Sequence, residues 1–138
     1  MIAIDTNILL RYVVQDDPTL APMASRVINR ALARQEAIHL SVIVLCESVW
    51  VLKTRYHFSK PHLLRFLEAI HGEPGFHVEN RSVLRKAVED YGKGPADFAD
   101  YLIGRMAHAQ GCSTTYTFDQ GLKHSAHFSL IKTSSIQT

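Results

Sequence analysis

Four acids carry the chemistry this chain could perform, Asp5, Glu47, Asp100 and Asp119, and Asp97 stands three residues before Asp100. Asp5 stops the apolar run Ile2-Ala-Ile4, and Asp119 ends the β-branched and aromatic run 112–118. Both therefore read as acids at the carboxyl ends of strands, where open α/β sheets place ligands. Glu47 falls inside the apolar stretch 42–56, with no positive residue within four positions. A charge on such a surface is costly unless a partner neutralises it. Asp97 and Asp100 are three apart, so on one helix they aim at the same point. Crowded carboxylates repel, so either some stay protonated or a cation neutralises them. Several oxygen donors, without a Cys or His cluster at ligand spacing, favour a hard ion, Mg²⁺ or Mn²⁺. Such an ion, single or paired, activates water and stabilises charge on a phosphodiester under attack. The competing reading is that the acids cap helices, Asp5 beside Thr6 and Asn7, Asp97 together with Asp100. Glu47 escapes it, because it lies well inside its helix.

The elements that would hold these acids alternate. After Ile2-Ala-Ile4, residues Ile8, Leu9, Tyr12 and Val13 recur at helical spacing behind the good N-cap residues Thr6 and Asn7. A second amphipathic helix over 18–35 is opened by Asp16 and Asp17, and Arg26, Arg30 and Arg34 line one face of it, read as a solvated face. Residues 37–40 form a short strand ending at Ser41, a cap for the helix over 42–56. Ser59 and Pro61 open another helix to about residue 71, and Gly72 to Gly75 is a turn. Residues 76–79 alternate as a strand, 81–91 are helical, and Gly92-Lys-Gly-Pro95 breaks that helix. The next helix runs from Ala96 to about Gln110, with Gly111 as its C′ glycine. Residues 112–118 and 128–131 are the last strands, and the polar tail from Lys132 is expected to be loose. The first strand, too short and apolar for anything else, is expected to be buried on both faces. Alternation of this kind argues for a mainly parallel sheet of four to five strands with helices on both faces, in one domain over 1–131.

Bulk properties agree with an ordinary globular chain. Its 138 residues are 46% apolar and 20% charged, with 15 basic against 13 acidic residues and a net charge of +2. That balance neither announces nor excludes nucleic-acid binding. Cys46 and Cys112 give no zinc spacing and no disulfide framework. No apolar segment reaches membrane-spanning length, and the first residues read as a strand with an acid, not a signal peptide, so a cytoplasmic protein is expected.

Other chemistries fit less well. An aspartate-nucleophile phosphatase needs a second acid two residues after Asp5, where Asn7 stands. A receiver-type domain needs an acidic neighbour to Asp5. A histidine-metal site would rest on His124 and His127, which follow turn-like residues and read as surface histidines. No G-x-S-x-G elbow supports a catalytic triad. The non-enzymatic rival is a protein- or RNA-binding module in which the acids cap helices and pair with arginines.

Asp5-Thr-Asn followed by Ile-Leu-Leu-Arg-Tyr, Glu47-Ser-Val-Trp, Phe-Ala-Asp100 leading Tyr-Leu-Ile, and Thr-Phe-Asp119 together resemble the PIN-domain ribonucleases, most closely the VapC-type toxins of bacterial toxin–antitoxin pairs. The resemblance covers nearly the whole chain. It implies a three-layer α/β/α domain and a Mg²⁺-dependent endoribonuclease, with Mn²⁺ as a substitute, that inhibits translation. Asp5, Glu47, Asp100 and Asp119 would surround the ion. Asp97 would be an auxiliary acid, and Thr6, Asn7 and Thr117 would orient carboxylates. A homodimer and an antitoxin whose tail covers the active-site groove are implied as partners. Gln120-Gly-Leu-Lys123 supplies no further acid, which leaves the ion count at one or two. Arg11, Arg26, Lys53 and Arg55 are candidate contacts to the RNA backbone.

Overall fold

The computed structural model describes residues 1–132. Its elements follow in the order β1 (Ile2–Ala3), α1 (Thr6–Val14), α2 (Leu20–Ala33), β2 (Ile38–Leu40), α3 (Val42–Thr54), α4 (Lys60–Gly72), β3 (Phe76–Val78), α5 (Arg81–Lys93), α6 (Phe98–Ala109), β4 (Thr115–Thr117), a 3₁₀ turn (Gln120–Leu122) and β5 (Phe128–Leu130). The strand-and-helix alternation read from the sequence is therefore present, and every described strand pairing is parallel. The chain divides into two units, Met1–Arg81 and a second that starts at Ser82. Of the tail expected to be loose, the residues beyond Lys132 lie outside the described part.

The first unit is built on a parallel sheet in the order β1-β2-β3, with Ile2 opposite Ile38, Ile38 opposite Phe76 and Leu40 opposite Val78. Period-two alternation sends Ile38, Leu40, Phe76 and Val78 to the buried face, together with Ile4 just past β1. The other face carries Ala3, His39 and His77 side by side. Ala3 and His77 are exposed and His39 half-buried, so β1 is not buried on both faces as expected. The reason is local: Ile-His-Leu and Phe-His-Val place an imidazole at the middle of each neighbouring strand.

Helix entry in this unit follows capping chemistry. Ser41 Oγ accepts from Val44 N at 3.2 Å and Ser59 Oγ from His62 N at 3.4 Å, each satisfying one otherwise unpaired amide. Asp17 starts α2 by accepting from the amides of Thr19 and Leu20 at 2.9 and 2.7 Å. Those two hydrogen bonds lower its pKa below the ordinary carboxylate value, with Arg11 adding to the effect. Leu9, Ile28, Leu45, Leu52, Leu63 and Leu67 form the core.

One core position is polar. Ser48, on α3, is fully buried, and its hydroxyl has no hydrogen-bond partner among the described residues. Ser48→Ala is expected to raise stability by about 1 kcal/mol, since it deletes an unsatisfied buried hydroxyl and improves helix propensity. Urea denaturation measures this; a loss of stability would show that Ser48 is satisfied in solution.

In the second unit α5, α6 and the parallel pair β4-β5 surround Leu84, Ala87, Tyr91, Phe98, Leu102 and Leu122. A two-pronged ion pair from Arg105 Nε and Nη2 to Asp90, at 2.6 and 2.9 Å, ties α6 to α5. Gly104 lets the Phe128 ring lie directly on α6, in space that a Cβ would occupy. Helix α6 ends as anticipated at Gly111, whose φ is +96°. Gly111 N donates to His108 O and Cys112 N to Ala107 O, the paired bonds of a Schellman motif. That motif shortens the strand expected over 112–118 to Thr115–Thr117, because Cys112 is spent on closing the helix. No helix among the described residues is long and apolar enough to cross a membrane.

Candidate functional site

In the first unit, Asp5 is the N-cap of α1. Its Oδ1 accepts from Ile8 N at 3.0 Å, so the cap is Asp5 itself and not Thr6 or Asn7. Thr6, released from capping, donates its hydroxyl to Glu47 Oε1 at 2.8 Å across 41 residues of sequence. Glu47 is thereby held at the amino end of α1, one residue from Asp5. Contrary to expectation from its apolar neighbours, Glu47 is exposed, and the buried polar residue of α3 is the adjacent Ser48. Asp5 thus caps the positive end of α1, where anionic groups are favoured, and Thr6 ties Glu47 to the same turn.

The second unit repeats the arrangement. Asp97 and Asp100 form a capping box at the start of α6, with Asp97 N donating to Asp100 Oδ2 at 3.2 Å. Asp119 follows β4 and accepts from Gly121 N at 2.8 Å. Thr117 Oγ1 accepts from Asp119 N at 3.0 Å and so fixes the backbone that carries the acid. Gly121 packs beside Ala96, which brings the Asp119 turn next to the Ala96–Asp97 corner.

The basic residues differ in exposure. Arg11 lies 3.5 and 3.9 Å from the carboxylates of Asp16 and Asp17. Arg26, Lys53 and Arg55 are exposed. Asn7, Arg11 and Arg26 border a groove whose floor is Ile8, Met23 and Val27.

Whether these acids suit a divalent cation turns on their partners. Asp5, Glu47 and Asp119 each spend one carboxylate oxygen on a neutral donor, and none forms an ion pair with Lys, Arg or His among the described residues. Asp16, Asp17 and Asp90, by contrast, have arginine partners. The donor chemistry therefore fits a hard cation. No three His, Cys, Asp or Glu side chains are gathered at metal-binding range among the described residues.

Sequence reasoning missed the Arg105–Asp90 pair and the basic groove beside it, where Lys93, His124 and His127 also lie. The His124/His127 spacing was visible in the chain, but Lys93 and Arg105 come from two other elements and leave no periodic signal.

A family model for the PIN domain matches residues 2–127, across both units. No curated protein and no solved structure matches the chain. The match includes all five acids in one continuous stretch. On that match the chain belongs to the PIN-domain family, whose members are generally metal-dependent nucleases.

Proposed function

We propose that this protein is an endoribonuclease in which Asp5, Glu47, Asp100 and Asp119 bind Mg²⁺, with Mn²⁺ able to replace it, as one or two ions. The observation that carries the reading is the set of carboxylates Asp5, Glu47 and Asp119, which in a chain of a nuclease family hold neutral hydrogen-bond donors and no cationic partner among the described residues. A divalent ion supplies Lewis-acid stabilisation of the charge that builds on the phosphoryl oxygens. The chain's own residues do the rest. Thr6 orients Glu47 and Thr117 orients the Asp119 backbone. Asp97 acts as an auxiliary acid and Asn7 supports Asp5 from α1. Asp5, Asp100 or Asp119 orients the attacking water, whose oxygen bonds to phosphorus as the P–O3′ bond breaks, its proton ending on the leaving 3′ oxygen. The products carry 5′-phosphate and 3′-hydroxyl ends. Arg11, Arg26, Lys53 and Arg55 bind backbone phosphates without reading sequence.

The proposal extends to biology: a toxin that inhibits translation in the cytoplasm, acts as a homodimer and is held in check by a protein antitoxin. Exposed Leu20, Met23 and Val27 on α2, beside Asn7 and Arg11, support a protein partner on that surface.

Purified protein incubated with total RNA is expected to yield discrete fragments with Mg²⁺ or Mn²⁺ and none with EDTA. Fragments ending in 2′,3′-cyclic phosphate would overturn water as the nucleophile. A second reading, the non-catalytic binding module, is favoured by one observation: Asp5, Asp97 and Asp119 all cap backbone amides. Thermal melting separates the two, because a cation that binds the native state raises its melting temperature. Unchanged melting between EDTA and Mn²⁺, with no cleavage, would establish the module.

A further inference from the structure

A groove of about 330 Å³ in the second unit is lined by Lys93 at the end of α5, Arg105 on α6, and His124 and His127 between the 3₁₀ turn and β5. Asp90 is the only acid among the described residues of this lining, and Arg105 occupies it through Nε and Nη2. The Arg105 guanidinium, the Lys93 ammonium and two imidazoles thus surround one concavity. Gly94, Pro95 and Gly121 complete the wall. Pro95 leads through Ala96 into Asp97, and the amide of Gly121 is the one that Asp119 accepts from. The groove thus abuts two of the acids described above.

We propose that this groove binds a phosphate group of an RNA strand, seating it beside Asp97 and Asp119. The choice of RNA as the source of the phosphate rests on the nuclease reading; the anion site itself does not. Its volume exceeds what a lone oxyanion fills and suits a phosphate with its attached sugar. The His127 ring, tilted 40° against that of His108 with centroids 4.3 Å apart, offers an aromatic edge beside it. Electrostatics agree. Burial lowers the proton affinity of His127 first, and Arg105, His108 and Lys86 lower it further, with Asp90 alone opposing. Glu89 acts on Arg105 as well, and Asp119 lies at the Gly121 wall. The surroundings of His127 are thus net positive, which an anion would relieve.

The test is a histidine NMR titration of the full chain in EDTA, where divalent-dependent cleavage is blocked. The probes are inorganic phosphate, a tetraribonucleotide with a 5′-phosphate, and the same oligomer without it. Saturable shifts of His124 and His127 with all three are expected, at around 1 mM for phosphate. The His127 titration midpoint should rise toward its ordinary value in the bound state. Lys93→Ala and His124→Ala should each weaken binding about fivefold, the scale of one partly exposed charge contact. Both residues are exposed, so folding is retained. Absence of saturable shifts, or binding indifferent to both substitutions, overturns the site. Phosphate binding without oligomer binding overturns the RNA assignment. If only the 5′-phosphorylated oligomer binds, the groove takes a strand terminus; if both bind, it takes a backbone phosphate. RNA cleavage is scored separately, so a failed nuclease reading leaves this titration decisive for the groove.

Discussion

Asp5→Asn is expected to reduce divalent-dependent RNA cleavage by on the order of a hundredfold or more, while the protein stays folded. The substitution separates the two jobs of this residue. As an N-cap, Asp5 offers Oδ1 to Ile8 N, and an asparagine amide oxygen caps about as well as a carboxylate. As a proposed ligand, Asp5 contributes a negative charge, which the amide lacks. The melting temperature without metal should therefore hardly change, while the Mn²⁺-induced rise in melting temperature shrinks. Equal cleavage by wild type and variant, both folded and metal-replete, would reduce Asp5 to a cap and sink the proposed ligand set. Equal folding with lost cleavage would support the set, because capping alone predicts no activity difference.

The second large effect concerns stability. Gly94→Ala is expected to cost about 2–3 kcal/mol, at the upper end for an overpacked site. A Cβ at position 94 would collide with the Tyr101 hydroxyl and lie 2.8 Å from its Cζ. Tyr101 is 4% exposed, so its ring has no free direction in which to swing. Its hydroxyl also accepts from Ala96 N at 3.1 Å, directly before Asp97. Displacing it strands that amide as well as straining the ring. Tyr101→Phe alone should cost about 1–2 kcal/mol, because the Ala96 amide loses its acceptor. The double variant should lose less than the sum, since removing the hydroxyl removes the nearest collision. Guanidinium denaturation of the four proteins measures the cycle; strict additivity would show that the two positions do not meet.

Much of the local structure was legible in the chain because it depends on short-range patterns. Ser41 and Ser59 announced two helix starts, Gly111 a helix end, and Asp16-Asp17 the entry to α2, each through the same backbone chemistry seen in the structure. Glu47 is the instructive partial failure. Its place in an apolar run suggested a buried charge, yet the exposed face of α3 also carries Ile43 and Trp50, at 68% and 66% exposure. An apolar sequence neighbourhood is not a buried one when hydrophobic side chains ring the whole helix. The buried polar atom proved to be one position away, at Ser48.

The sequence by itself determined the α/β alternation, the caps and the identity and order of the acids, because side-chain period and capping act within a few residues. Only the tertiary structure decided that Thr6 grips Glu47 from 41 positions away and that Arg105 locks onto Asp90 from 15. It also decided that β1, β2 and β3 pair as neighbours and that Lys93, Arg105, His124 and His127 share one groove. Such contacts depend on which faces of separate elements are pressed together, and local periodicity carries no record of that.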